Sequence, residues 1–180
     1  MSSPAVADQL TRIAEFEAGA RPTPVTAVLR TVGQTKLFAR VYRRVGPRVD
    51  PWLLRRDQGR AIAKVYGLPA LLLHSVGATS GEPRTSPLLY RRDGDAFAVV
   101  GTNFGQVRHP AWTANLLAHP DAEIDIGPVH LAVRAEPADA ATWHRLWPQF
   151  CDVYPGYRHY LERCGDRVPR MFRLVAADSA

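Results

Sequence analysis

The sequence predicts an α+β fold, mainly antiparallel: a barrel of about six strands decorated by helices on its outside, with a helical N-terminal extension. Three observations predict it. After Gly67 the apolar residues change from helical spacing to short runs separated by turn residues, as at Asp93-Gly94 and Gly127-Pro128. Consecutive hairpins of this kind favour an antiparallel barrel. The regular strand–helix alternation that a doubly wound sheet needs is missing.

The extension comes first. Residues 5–18 read as a short helix with a thin apolar face at Ile13 and Phe16, stopped by Gly19. Arg21-Pro22-Thr23-Pro24 is a break, because each proline biases its predecessor away from helix. From Val25 to Val45 apolar residues recur at helical spacing until Gly46-Pro47, and Pro51–Arg56 reads as one further turn. Arg40, Arg43, Arg44, Arg48, Arg55, Arg56 and Arg60 face only Asp50 and Asp57 in this stretch, with Tyr42, Trp52, Leu53 and Leu54 interleaved. Two readings stay open for Arg40 to Arg60: a solvated basic helix face, or contact with an anionic membrane surface. The expected division is a helical, Arg-rich extension over 1–66 and a barrel domain over 67–180.

In the barrel region, Pro69–Val76 and Arg84–Arg92 read as paired strands, followed by an Asp93-Gly94 hairpin turn and a buried strand over Asp95–Thr102. Pro110–Ala118 reads as a helix with proline at its first position, where the missing N–H is harmless. Asp121–Ile126 alternates polar and apolar residues, and Gly127-Pro128 turns it into Val129–Ala135. Ala138–Cys151, with an interruption at Pro148, and Tyr154–Cys164 read as helices. Arg170–Val175 closes the series as a strand.

The chain has 180 residues, 46% of them hydrophobic, and a formal net charge of +6. That suits one domain, or one with an appendage, whose partner is acidic: nucleic acid, an anionic cofactor or a membrane surface. Nucleic acid is not expected, since no recognition-helix or RNA-binding signature is present. The first twenty residues carry Asp8, Glu15 and Glu17 and no signal-peptide pattern, and no apolar run approaches the ~18 residues of a transmembrane helix. Cys151 and Cys164 fit no CxxC pattern and read as reduced thiols. A cytoplasmic protein is expected, with peripheral contact at the inner face of the plasma membrane as the open alternative.

Three segments carry candidate chemistry. Gly77 to Tyr90 is a strand end, a Gly-bounded corner with Ala78, Thr79 and Ser80, then Arg84, Thr85, Pro87, Leu88 and Leu89 on the returning strand. Backbone amides and a guanidinium at such a corner suit a phosphate. It is not a Walker loop, because no lysine follows the second glycine. Val99 to Leu116 passes from a buried strand through a Gly-flanked loop into a helix, with Val100, Gly101, Thr102, Asn103, Ala111, Trp112 and Asn115. Helix N-termini and glycine loops offer N–H donors. Trp112 reads either as core or as a partner for a planar ring, and Thr102 and Asn103 also suit a plain turn. Tyr154, Tyr157 and Tyr160 fall near one helical face and suit either core packing or an apolar slot with hydroxyls. No HExxH motif, metal-ligand spacing or G-x-S-x-G elbow is present, so no metal is expected; Ser75, Ser80 and Ser86 read as loop hydrogen-bonders.

The order G-x-x-S-G-x-P-R…P-L-L-Y, D-G-D, G-T-N-x-G…H-P-A-W…N-L…H-P and W-P…Y-P-x-Y…Y, over Leu71 to Pro169, resembles the deazaflavin-dependent nitroreductase family. The resemblance implies a split β-barrel oxidoreductase that passes a hydride from reduced coenzyme F420 to a quinone, enone or nitroaromatic. It implies Ala78, Thr79, Ser80, Arg84 and Thr85 at the cofactor's phosphate and acidic tail. Pro87, Leu88, Leu89, Val100, Gly101, Thr102, Asn103, Ala111, Trp112, Asn115 and Tyr157 would contact its ring. Thr102, Tyr154 and Tyr157 would take part in catalysis, and Tyr154, Tyr157 and Tyr160 would line the substrate slot. Ala78 and Thr79 stand where the family commonly has Arg or Lys, Thr102 where it often has Ser, Asn103 where some members have Lys, and Leu89 where some have Tyr. The alternatives are an FMN-binding barrel and a non-enzymatic, membrane-peripheral protein that binds anionic ligands or lipid through Arg40 to Arg60.

Overall fold

A computed structural model describes residues 3–19 and 69–177. The helix expected over Val25–Val45, the turn at Pro51–Arg56 and the Arg40–Arg60 segment lie outside the described residues.

Strand β1 (Ala70–Val76) pairs with β2 (Pro83–Asp93), and β2 pairs through a tight turn with β3 (Ala96–Val100). Strands β4 (Asp121–Ile126) and β5 (Val129–Pro137) form a second hairpin, and β6 (Met171–Ala176) lies between β5 and β3. Because β4 pairs back onto β1, the sheet closes as an antiparallel barrel in the order β1-β2-β3-β6-β5-β4. This is the α+β barrel the hairpins predict.

Side-chain alternation sets the core. Along β5, Val129, Leu131, Val133 and Ala135 are buried while His130, Arg134 and Glu136 are exposed. β3 is buried on both faces. Phe97 and Val99 fill the barrel, and Ala98 and Val100 pack outward with Leu146 and Phe150 of helix α3 (Ala140–Val153). That double burial accounts for its run of Ala and Val.

Two helices close the barrel at opposite ends. Helix α1 (Pro4–Gly19) buries Val6 and sends Ile13 fully into the barrel core. It is latched there by Glu17, which accepts from the Tyr90 hydroxyl at 2.5 Å and pairs with Arg92 at 3.2 Å. Helix α2 (Ala111–Ala118) supplies Trp112 and Leu116 to the same core from the other end. Helix α4 (Gly156–Arg163) follows α3 and lies against the turn at Asn103–Gly105.

Several boundaries differ from expectation for physical reasons. The two hairpin residues are Gly94-Asp95, since Asp93 pairs with Ala96. Only Gly94 has positive φ (62°), so its lack of a Cβ is what the turn requires. β3 ends at Val100: Gly101 still donates its N–H in register to Arg170 O, but the Thr102 N–H turns back to Val100 O and takes the chain out of the ladder. Pro110 caps α2 in an extended conformation (ψ 144°) rather than forming its first residue. α3 runs unbroken through Pro148: Pro148 and His144, whose carbonyl loses its donor, are both exposed, and buried Leu146, Phe150 and Cys151 hold the inner face. α4 begins at Gly156, so Tyr154 precedes it. Ser75 and Ser86 are strand residues. Cys151 and Cys164 are buried free thiols, and no described helix is long and apolar enough to cross a membrane.

Candidate active site

The β1–β2 corner is built by its glycines. Gly77 donates to Glu82 O at 2.9 Å, and Gly81, at φ 68°, donates to Gly77 O at 2.8 Å. A Cβ on Gly77 would lie 2.5 Å from Ser80 Oγ and 3.3 Å from Glu82 O, so a larger residue there would displace the Ser80 hydroxyl from its place in the corner. Ser80 Oγ accepts from the Glu82 N–H at 3.3 Å and from Arg84 Nη2 at 3.4 Å. Among the described residues the Thr79 and Ser80 N–H groups have no partner, and Arg84 has no carboxylate beside it. An exposed cation and two open amides remain at one bend.

At the end of β3, Gly101 is pressed under α2. A Cβ there would sit 2.7 Å from Thr113 Cγ2 and 3.1 Å from Pro110 Cγ. Thr102 is buried, and its N–H donates to Val100 O at 3.2 Å, which leaves its hydroxyl as the group able to meet a ligand. Asn103 and Phe104 both have positive φ, 49° and 54°. Left-handed backbone at two consecutive non-glycine residues costs about 1–3 kcal/mol each. Asn103 Nδ2 offsets part of it by donating to Arg108 O at 2.9 Å.

Asn115 ties α2, which lies over Gly101, to the corner. Its Oδ1 accepts the Ala78 N–H at 3.0 Å and its Nδ2 donates to Ser75 Oγ at 3.3 Å. The corner, the Gly101–Pro110 loop and α2 therefore share one end of the barrel. From Pro83 to Leu89, β2 pairs with β1, whereas its pairing with β3 begins only at Tyr90. Among the described residues this stretch leaves one strand edge open between the corner and the loop.

Tyr160 borders the same loop, and Tyr154 and Tyr157 pack against its ring. Tyr160 meets Phe104 edge-on with ring centroids 5.9 Å apart, and a Cβ on Gly105 would lie 3.0 Å from Tyr160 O. Tyr154 and Tyr160 hydroxyls are 3.3 Å apart, and Tyr154 and Tyr157 rings meet edge-on at 5.4 Å. Burial raises the Tyr157 hydroxyl pKa well above that of an ordinary phenol, and burial also raises Tyr160.

Not every expected site residue faces the same space. Leu88 and Leu89 alternate across the strand: Leu88 packs in the barrel core and Leu89 against the cluster under α3. Thr85 turns its hydroxyl to His74 Nδ1 at 3.0 Å. Trp112 is buried against Phe172, with ring centroids 5.9 Å apart, so its faces are largely spent on the core. Val100 likewise packs outward under α3. Ala111 is exposed at the start of α2, and Pro87 is half-buried on the open stretch of β2. Sequence reasoning missed Arg167. Its guanidinium reaches the carbonyls of Gly101, Thr102 and Gln106 at 2.9, 2.7 and 3.0 Å, from a segment with no periodicity or motif to mark it. His109, 3.4 Å from Arg167 Nη1, was visible only as part of the H-P-A-W run.

A closed antiparallel barrel with an open strand edge and, among the described residues, two amides without a partner beside an exposed guanidinium presents at one end the donors that an anionic, phosphate-bearing ligand requires. Residues 46–172 match the model of the F420H(2)-dependent quinone reductase family, and the chain belongs to that family, whose hydride donor is reduced coenzyme F420. It is 41% identical over 103 residues to an F420H(2)-dependent quinone reductase of Mycobacterium tuberculosis strain H37Rv, covering 56% of this chain and 69% of that one. Among solved structures it is similar to an F420-H2 dependent reductase, FDR-A, with TM-score 0.54 and 27% identity over 59% of this chain and 93% of that chain. A structure described as a domain-swapped dimer is similar at TM-score 0.54 and 26% identity, over 69% of this chain and 98% of that one. The corner fits such a cofactor on its own chemistry, because N–H donors and a guanidinium that have no carboxylate partner among the described residues are what a phosphate requires.

Proposed function

We propose that this chain reduces quinones, and with the same chemistry enones and nitroaromatics, at the α2 end of its barrel. The observation that carries the reading is the Asn115 bridge, which ties the anion-binding corner to α2, the helix under which Gly101 of the Thr102 loop is pressed. When bound, the deazaflavin supplies the hydride, as a cofactor's own redox chemistry. The Thr79 and Ser80 amides, next to Ala78, would hold its phosphate with Arg84. Pro87, Gly101, Asn103 and Ala111 would border the ring from the open strand, the loop and the helix start, while Leu89 and Val100 pack with the tyrosine cluster and Trp112 and Asn115 hold α2 to the barrel. The Thr102 hydroxyl donates to the acceptor oxygen as negative charge develops there. Tyr154, Tyr157 and Tyr160 line the acceptor slot and exclude water. With its proton held so tightly, Tyr157 serves as a hydrogen-bond donor and not as a base.

The test is anaerobic mixing of the protein with reduced coenzyme F420 and a panel of soluble quinones, enones and nitroaromatics. Acceptor-dependent oxidation of the deazaflavin, fastest with quinones, is expected, together with titration of F420 but not FMN to saturation. Absence of F420 binding, or oxidation at the same rate without protein, would defeat the proposal.

A further inference from the structure

We infer that Arg167 is a positioning residue of this redox site: by holding three carbonyls of one loop it sets where the Thr102 hydroxyl stands. The inference rests on the reading of this barrel end as the cofactor site.

Arg167 Nη1, Nη2 and Nε donate to Gly101 O, Thr102 O and Gln106 O at 2.9, 2.7 and 3.0 Å. Arginine usually spends its planar fork on a carboxylate or phosphate. Here, among the described residues, no carboxylate pairs with it, and its donors all turn to the Gly101–His109 segment. The carbonyls it holds bracket the left-handed pair Asn103 and Phe104. Strained backbone persists only where its surroundings over-determine it. The local bonds Gly105 N–H to Thr102 O and Gln106 N–H to Asn103 O close the turn on itself but tie it to nothing else. Beyond the Gly101 N–H bond to Arg170 O at its start, Arg167 is what hydrogen-bonds Thr102 and Gln106 to the segment leading into β6. It also orients His109. A guanidinium can only donate, so His109 Nδ1 accepts from Nη1 at 3.4 Å and its ring proton sits on Nε2. Burial, with Arg170 and Arg167 nearby, lowers the His109 pKa and keeps the ring neutral.

Without Arg167 the cofactor would still be tethered at the corner by Arg84, while the loop carrying Thr102 would relax. Misplacement by about 1 Å can slow a reaction about a hundredfold without comparable loss of binding. The expected signature is therefore a split between rate and affinity, which a merely structural role would not produce.

The experiment compares the full-length chain with Arg167→Gln and Arg167→Lys. Three quantities are read: amide exchange over residues 101–110 without cofactor, fluorescence titration with oxidised F420, and single-turnover oxidation of reduced F420 by a soluble naphthoquinone at saturating protein. In Arg167→Gln we expect faster exchange at Gly105 and Gln106, a dissociation constant raised less than about tenfold and hydride transfer slowed about a hundredfold. Arg167→Lys, which keeps a charge but cannot span three carbonyls, falls between. Unchanged exchange, or a wild-type transfer rate in a variant that merely melts earlier, would overturn the inference. If the glutamine variant fails to fold, the lysine variant decides alone, and a wild-type rate and exchange pattern there overturn it. Failure of the wild-type protein to bind F420 would instead remove the functional reading, while the cofactor-free exchange data still judge the clamp.

Discussion

Asn115 accepts the Ala78 N–H on its side-chain carbonyl at 3.0 Å, from a helix that begins 33 residues further along the chain (Ala78 to Ala111). Its amide also donates to buried Ser75, so both ends of the group are spent inside the protein. Asn115 shapes the cofactor corner more than it can touch a cofactor. Asn115→Leu should leave the Ala78 amide and the Ser75 hydroxyl unpaired. We expect a loss of about 1–3 kcal/mol in urea unfolding, with weaker F420 binding in the protein that remains folded. Unchanged binding in that variant would show that the corner holds its shape without α2.

Arg84 stands exposed, and among the described residues its hydrogen bond is to Ser80 Oγ at 3.4 Å. A charge-assisted hydrogen bond contributes about 1.5–3 kcal/mol. Arg84→Ala should thus weaken F420 binding about tenfold to a hundredfold while leaving the melting temperature nearly unchanged. Because the contact is exposed, wild-type affinity should fall as salt rises and the variant's should fall less steeply. Equal salt slopes would place the phosphate elsewhere.

Thr102 offers a hydroxyl only, since its N–H is occupied by Val100 O and its carbonyl by Arg167 and Gly105. Thr102→Val keeps the shape and removes that donor. Loss of one donor to a developing oxyanion slows catalysis about a hundredfold to a thousandfold. We expect kcat with a naphthoquinone to fall by something in that range and the F420 dissociation constant to move little. A parallel loss in both would reassign Thr102 to binding.

The barrel was legible because each strand announces itself locally. Alternation in Asp121–Ile126 and Val129–Pro137 and the Gly-centred turns are short-range signals, and closure follows from them. The corner was legible for the same reason: Gly77, Ser80, Gly81 and Arg84 lie within eight residues. What sequence could not show is which way equivalent residues point. Leu88 and Leu89 look alike in a line of text yet sit on opposite faces, and Trp112 is absorbed by Phe172 from a strand sixty residues away (112 to 172). Arg167 stayed hidden because its partners are backbone carbonyls, which every residue carries.

Asp93 yields a prediction about pH. Its carboxylate accepts from Arg145 Nη1 on α3 at 2.7 Å and from Arg173 Nε on β6 at 2.8 Å, with the Asp93 side chain only 10% exposed. The Arg145 hydrogen bond is the largest influence, and together with Arg173 it outweighs burial and lowers the pKa. The folded protein therefore binds this proton less tightly than the unfolded chain. Its contribution is fully present above the unfolded value, near about 3.9, and disappears as pH falls through the lower folded value. Both arginines are partly exposed, so solvent screens the pair, and Asp93→Asn should cost about 1–2 kcal/mol at pH 7. Denaturant unfolding of the two proteins should show a constant gap from about pH 5 to pH 8 that closes toward pH 2. A gap that widens in acid would mean that Asp93 is held protonated. Since Asp93 ties the β2–β3 hairpin to α3, the helix that leads into Tyr154, the same variant should also loosen the tyrosine wall and raise the quinone KM more than the F420 dissociation constant.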